Sequence, residues 1–316
     1  MNILSIVNGF VPGHNNGATW VLHDVLKYLS NKGHTCTVST LDKPGKVVKG
    51  IEVTEGLTME MCRKADVIFT HLRQTGLALN MGRALKKPVV FFSHGRKAYG
   101  VVKVRKKGVF VIYNANHTKE LLEKEYKNQE GMVLHPPIHK DYYQVKKRRT
   151  YITIINHCIE KGGDIFSRIA EAMPDRKFLA VKGSYGDQYK WMPKNVRVEK
   201  QAEDIRKVYK RTSILLMPSI SETYGRTALE AMCSGIPVIT SDNPGISEAC
   251  GYIANYVINR TNVDEWVKAI EEVEEDYQTT SKNCKLFTDT LNPERDLAEF
   301  ENFLTNKVLT WKPTHH

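Results

Sequence analysis

"SILLMPSISETYGRTALEAMCSGIPVITSD", Ser213–Asp242, reads as strand, loop, helix and strand in thirty residues. The run "SILLMPS" is apolar throughout, "TALEAMCSG" has helical composition and closes on glycine, and "IPVIT" opens on proline before a second apolar run. Two strands without polar alternation, joined by a helix, form the βαβ unit of a parallel sheet whose faces are both covered. Glu222 and Glu230 stand eight positions apart in it. Ser221 or Glu222 is expected at the helix N-cap, with Thr223, Tyr224, Gly225 and Arg226 in the first turn. Free amides and the positive end of the helix dipole make such a turn an anion site. Gly225 leaves the backbone open to close approach. At 1.5 Å per residue, Glu230 follows roughly 12 Å further along, and a carboxylate accepts hydrogen bonds from vicinal hydroxyls. For two glutamates in isolation the plainer reading is a solvated helix face whose first-turn acid favours the dipole.

The same rhythm runs through the chain. "ILSIV", "TCTVST", "DVIFTH", "PVVFFSH" and "VFVIYN" read as strands. "TWVLHDVLKYLSNKGH", "GLALNMGRALKK" and, behind a threonine cap, "TKELLEKEYKN" read as helices. After "MVLHPP" and the linker "HKDYYQVKKRRT" it restarts: strands "YITIIN", "RKFLAV" and "NVRVE", helices "GGDIFSRIAEAM", "AEDIRKVYKRT" and "VDEWVKAIEEVEED". The expected architecture is α/β, two doubly wound Rossmann-like domains facing across a cleft. The first spans 1–149 and the second 150–292. A final helix, about 293–316, is expected to pack back on the first. Ligands of such sheets sit outside the carboxyl ends of the strands.

The 316 residues carry a formal net charge of +11. Residues 1–149 hold 25 basic against 11 acidic residues, a balance of +14, and residues 150–316 hold 21 against 24, a balance of −3. That asymmetry points to a polyanionic partner for the first half, with a solubility surface as the bland alternative. No window approaches twenty uninterrupted apolar residues, and "MNILSIVNGF" reads as a first strand rather than a leader, so a cytoplasmic location is expected (host cytoplasm if viral). Six cysteines without CxxC spacing suit reduced thiols and argue against zinc. No GxGxxG follows the first strand, which disfavours a nicotinamide enzyme.

"SETYGRTALEAMCSGIPVITSD" resembles the signature of retaining GT-B glycosyltransferases, the family 4-like group that includes sucrose and sucrose-phosphate synthases. "EKGGDIF" (160–166) resembles that family's diphosphate loop, and "DNPGISE" (242–248) resembles the loop after its next strand. The early "HNNGAT" and "SHG" extend the likeness into the first half. The resemblance implies a hexosyl- or glycosyltransferase (EC 2.4) that uses a nucleotide sugar, UDP-linked by family frequency, with no cofactor and no metal. No DxD of the metal-holding kind stands beside a strand. In the implied roles, Glu222 holds hydroxyls of the transferred sugar, and Thr223, Tyr224, Gly225 and Arg226 line the donor. Glu230 takes the ribose hydroxyls. Lys161 neutralises charge building on the leaving diphosphate, the largest catalytic contribution expected. Gly17 lets the first turn approach the phosphates. His94, at the end of "PVVFFSH", faces the reacting sugar. A lone strand-end histidine is more often structural; the family context reverses that preference, without making His94 a nucleophile. One departure stands out. The family commonly has arginine five residues before the diphosphate lysine, and here that position is Asn156. Arg226 is the nearest replacement along the sequence.

The acceptor is expected on the first half. Arg96, Lys97, Lys103, Arg105, Lys106 and Lys107 cluster just after His94, with Tyr99 among them to stack on a base. The chain resembles the small basic glycosyltransferases that modify hydroxymethylated pyrimidines in phage DNA, which implies DNA modification and base flipping. The rival acceptor is a lipid-linked or cell-surface glycan at an anionic membrane. A non-catalytic nucleotide-sugar-binding protein and a hydrolysing epimerase are the readings from other classes. No obligate protein partner is evident.

Overall fold

The computed structural model describes residues 1–41, 48–95, 107–126, 129–146 and 148–313. It divides into two compact units, residues 1–137 with 293–316, and residues 138–292.

The first unit holds a parallel sheet of β1 (Asn2–Val7), β2 (Thr35–Thr40), β3 (Glu52–Glu55), β4 (Val67–His71), β5 (Val89–Ser93), β6 (Val109–Tyr113) and β7 (Gly131–Val133). Their order is β3-β2-β1-β4-β5-β6-β7. β4, β5 and β6 are buried along their whole length, as strands covered on both faces must be. The order reverses direction between β1 and β4, the point where a doubly wound sheet opens a crevice at its carboxyl edge. The helix Pro293–Phe303 belongs to this unit: Leu297, Phe300, Leu304 and Val308 are buried in one cluster with Leu26, Phe69 and Phe92. Phe300 lies 6.0 Å from Phe69 and 5.8 Å from Phe92, centroid to centroid. Each such burial contributes about 1.5–3 kcal/mol. Glu301 fastens the same helix, accepting from Tyr28 at 3.2 Å and lying 2.9 Å from His34 Nε2.

The second unit repeats the plan with β8 (Tyr151–Ile155), β9 (Phe178–Val181), β10 (Val196–Glu199), β11 (Thr212–Met217), β12 (Val238–Ser241) and β13 (Asn255–Val257), ordered β10-β9-β8-β11-β12-β13. Its switch point falls between β8 and β11. Residues 138–146 and 148–149, which the sequence reading joined to the first half, pack in this unit. Tyr143 is buried, accepts from Arg226 at 2.8 Å, and its carbonyl accepts from Ser234 at 2.6 Å. The exposed basic residues Lys146, Arg148 and Arg149 therefore belong to the second unit. By composition the first unit then holds 23 basic and 14 acidic residues (+9) and the second 23 and 21 (+2), a weaker asymmetry than the half-chain split suggested.

Several elements differ from their sequence reading. The helix expected behind a threonine cap starts earlier, at Asn116, so Thr118 lies inside it. "AEDIRKVYKRT" is helical only over Arg206–Tyr209, because Asp204 takes both the amide and the guanidinium of Arg206 into a local turn and β11 begins at Thr212. Helix Tyr277–Thr288 went unread: its threonines, serine and asparagine are poor helix formers. Tertiary packing holds it, with Ser281, Cys284 and Thr288 buried and Ser281 Oγ donating to the Gly235 carbonyl at 2.7 Å. Among the described residues no helix is long and apolar enough to cross a membrane.

Candidate active site

The loops leaving β8 and β11, on either side of the second unit's switch point, come together. The β8 loop turns through Ile159–Lys161 into the helix Gly163–Ala172. The β11 loop runs from Pro218 to Gly225 before the helix Arg226–Cys233. Ile220 N donates to Glu160 O at 2.9 Å, and Arg260 Nε donates to Pro218 O at 2.7 Å. Gly162, at φ +82°, sits so close to the Pro218 carbonyl that a Cβ there would overlap it. Only glycine allows both the left-handed backbone and the contact. Lys161 is thereby delivered to the β11 loop, where Nζ donates to Glu222 Oε1 at 2.5 Å. Ser219 Oγ donates to the same oxygen at 2.8 Å. The Glu222 and Lys161 side chains are only 11% and 19% exposed. Burial works against the Lys161 ammonium, but Glu222 and Tyr185 more than offset it and hold its pKa above the ordinary value. The lysine is a permanent cation set against a carboxylate.

The helix begins later than its sequence reading. Gly225 is its N-cap, at φ +86°, with Ile246 packed where a side chain would go. Ser221 and Glu222 therefore sit in the loop, not at the N-cap, and Thr223–Gly225 precede the first turn. The Glu222 amide is taken by Asn243 Oδ1 at 3.0 Å, so it is not a free anion donor. Asn243, at the start of the loop after β12, is 2% exposed, and its Nδ2 is buried without a partner among the described residues. Tyr224 is buried and Thr223 half-buried.

Glu230 and Arg226 form a pair inside the unit. Arg226 Nε donates to Glu230 Oε1 at 2.6 Å, Tyr209 Oη donates to Oε2 at 2.9 Å, and each of the charged residues is 8% exposed. Burial and the Glu230 carboxylate raise the Tyr209 pKa well above its usual value, so it remains a donor. Arg226 is thus turned inward, its charge matched by Glu230, and does not stand beside Lys161 as the replacement arginine. Asn156 is buried at φ +63°; its Oδ1 accepts from Gln188 Nε2 at 2.8 Å, and its Nδ2 has no partner among the described residues. The position thus offers a neutral donor where the family has a cation.

In the first unit, Gly17 opens the helix Gly17–Asn31 behind Asn16, which caps it through Thr19. A Cβ on Gly17 would meet no protein atom, so packing does not demand glycine. His94 follows β5. Its ring stacks on Phe92 at 6.4 Å and meets His71, the last residue of β4, edge-on at 5.3 Å. Burial lowers the His71 pKa to about 4, and burial together with His71 holds His94 well below its usual range. Both are neutral at pH 7. Asn8 Oδ1, His71 Nδ1, His94 Nε2 and Tyr113 Oη, at the carboxyl ends of the adjacent strands β1, β4, β5 and β6, are buried and have no hydrogen-bond partner among the described residues. Lys107 is exposed; Arg96, Lys97, Tyr99, Lys103, Arg105 and Lys106 lie outside the described residues.

Solved structures share this fold along nearly the whole chain. Sucrose-phosphate synthase from Thermosynechococcus elongatus superposes with a TM-score of 0.76 at 14% identity, covering 96% of this chain and 98% of that one. Anabaena Alr3699/HepE, solved in complex with UDP-glucose, reaches 0.79 at 13% identity, covering 96% and 99%. The fold is GT-B. Residues 191–286 match the family Glycosyl transferases group 1, a stretch that contains Glu222 and Glu230. The D-inositol 3-phosphate glycosyltransferase of Paenarthrobacter aurescens (strain TC1) is 29% identical over 79 residues, 25% of this chain. The match spans 19%, about a fifth, of that relative's length. The Lys161–Glu222 contact stands at the switch point of the second unit's sheet, between the loops after β8 and β11. Sequence reasoning missed Ser219, Tyr185, Tyr209, Tyr143 and Asn243. Only Asn243 had a signal, its place in the "DNPGISE" loop.

Proposed function

We propose that the protein transfers a sugar from a nucleotide diphosphate sugar to a hydroxyl acceptor, with retention of anomeric configuration and without a metal ion. The observation that carries this reading is Lys161 Nζ against Glu222 Oε1 at 2.5 Å, at the switch point of the second unit. With a donor bound, the diphosphate takes the lysine and the sugar hydroxyls take the carboxylate. The ion pair is exchanged for two charge-assisted contacts. Lys161 stabilises the leaving diphosphate as its charge grows, and Asn156 Nδ2 and Asn243 Nδ2 add neutral donors. Glu230 reaches the ribose hydroxyls from within its pair with Arg226. UDP is the first carrier to test, because HepE is solved with UDP-glucose.

The acceptor-binding role falls to the first unit, where His94 meets the reacting sugar as a neutral imidazole. The leaving phosphate takes the acceptor proton. The basic composition of that unit favours hydroxymethylated pyrimidine in DNA. A glycan acceptor is the second reading, supported by the uncharged strand-end groups Asn8, His71, His94 and Tyr113, which suit sugar hydroxyls. The test incubates the protein with a panel of nucleotide sugars, hydroxymethylated DNA and glycolipid vesicles, with mass spectrometry of nucleosides and lipids. Sugar on a nucleoside, lost in Glu222→Ala, supports the DNA reading, and DNA binding should weaken steeply with salt. Sugar on lipid supports the second. No transfer and no donor hydrolysis from any nucleotide sugar would leave a non-catalytic binding protein.

A further inference from the structure

The second unit contains a cavity of about 660 Å³ apart from the Lys161–Glu222 contact, a size that suits a small molecule. It is lined by His157, which follows β8, and by Lys182, Asp187, Gln188, Tyr189 and Lys190 from the segment after β9. Lys161, Ser219, Glu222 and Asn243 do not line it.

Three features of this lining point to a ligand. His157 is 2% exposed, and its ring touches the backbone of Tyr189 and its own, yet neither ring nitrogen makes a hydrogen bond of normal geometry among the described residues. A buried polar side chain in that condition normally has a partner, in protein, water or ligand. Its position is pinned: Tyr189 N donates to its carbonyl at 2.9 Å, and any residue larger than glycine at 163 would strike that same carbonyl. Secondly, Lys182 and Lys190 both reach the cavity, and neither has a salt bridge among the described residues. Two unpaired cations lining one concavity concentrate positive potential inside it. Thirdly, Asp187 puts a carboxylate on the same wall.

We propose that this cavity is a second ligand site, for a small phosphorylated molecule that also carries hydroxyl groups. Lys182 and Lys190 take the phosphate through charge-assisted hydrogen bonds. The Asp187 carboxylate accepts from hydroxyls, which an all-phosphate ligand lacks. Burial keeps the His157 imidazole below its ordinary pKa, so it presents one donor and one acceptor rather than a cation. The site borders the donor loops at one residue. Gln188 Nε2 holds Asn156 Oδ1 at 2.8 Å, and Gln188 Oε1 accepts from Gly183 N at 3.1 Å.

The test uses the full chain, isothermal titration calorimetry and glucose 6-phosphate as probe, with glucose as the control that lacks the phosphate. Glucose 6-phosphate should bind, glucose should not, and saturating UDP should leave the affinity unchanged. The double variant Lys182→Ala/Lys190→Ala, at two exposed positions, should bind the probe at least about tenfold more weakly. It should keep the wild-type melting temperature and UDP affinity. Absence of probe binding to the wild-type chain, or equal binding by the double variant, overturns the proposal. So does displacement of the probe by UDP, which would put it on the donor site instead. Because UDP affinity is read separately, failure here is distinguishable from failure of the glycosyltransferase reading.

Discussion

Glu230→Ala tests whether the second glutamate is part of the unit's interior as well as a ribose ligand. The carboxylate accepts from Arg226 at 2.6 Å and from Tyr209 at 2.9 Å, with both charged partners 8% exposed. Removing it strands a buried guanidinium, a loss of about 3–5 kcal/mol when one member of a buried pair is deleted. The Tyr209 hydroxyl also loses its acceptor, at about 1–3 kcal/mol. Because the two groups share one carboxylate, the costs overlap, and about 4 kcal/mol is expected. For a unit of this size each kcal/mol moves the midpoint by about 2–4 °C, so Tm should fall by roughly 8–16 °C. Circular dichroism at 222 nm on wild type, Glu230→Ala and Glu230→Ala/Arg226→Met measures it. The double variant removes the stranded charge and should regain more than half of the loss. A Glu230→Ala chain that melts within about 2 °C of wild type, given midpoints this sensitive, would refute the interior pair.

Lys161→Met should lower kcat/KM by about 10²–10³, the usual loss when one group stabilising a developing anion is removed; steady-state donor turnover measures it, and unchanged kcat refutes the role. Gly162→Ala forces a β-carbon into the Pro218 carbonyl at φ +82° and should destabilise the second unit by more than the ~1–2 kcal/mol of a left-handed backbone alone; urea unfolding checks it. His71, lowered to about 4 by burial, is neutral when folded but binds a proton below about 6.5 when unfolded. Its contribution to stability is therefore complete above pH 6.5 and is lost as pH falls from 6.5 to 4, by about 3 kcal/mol. Urea midpoints at pH 7 and pH 4 should differ by much less in His71→Leu than in wild type.

Much of the fold was legible because buried parallel strands announce themselves. "ILSIV", "VFVIYN" and "SILLMPS" lack polar alternation, and no other arrangement buries both faces of so many short apolar runs. Tyr277–Thr288 was not legible, since its residues oppose a helix locally and only contacts such as Ser281 to Gly235 overrule them. The helix start was misread for a related reason. "SETYGR" has an N-cap pattern, but Gly225 takes a left-handed backbone with Ile246 packed behind it, and Asn243 draws the Glu222 amide away.

Sequence alone determined that Lys161 and Glu222 belong to the loops after strands of one doubly wound sheet. Spacing and apolar patterning are local properties, and they mark where each strand ends and its loop begins. Tertiary structure alone decided which charges find one another. Glu222 meets Lys161 across sixty-one positions, whereas Arg226, only four residues away from Glu222, turns inward to Glu230 and Tyr143. Ion pairing depends on distance in space and on the burial that makes an unmatched charge costly, and neither is written in the linear order of the residues.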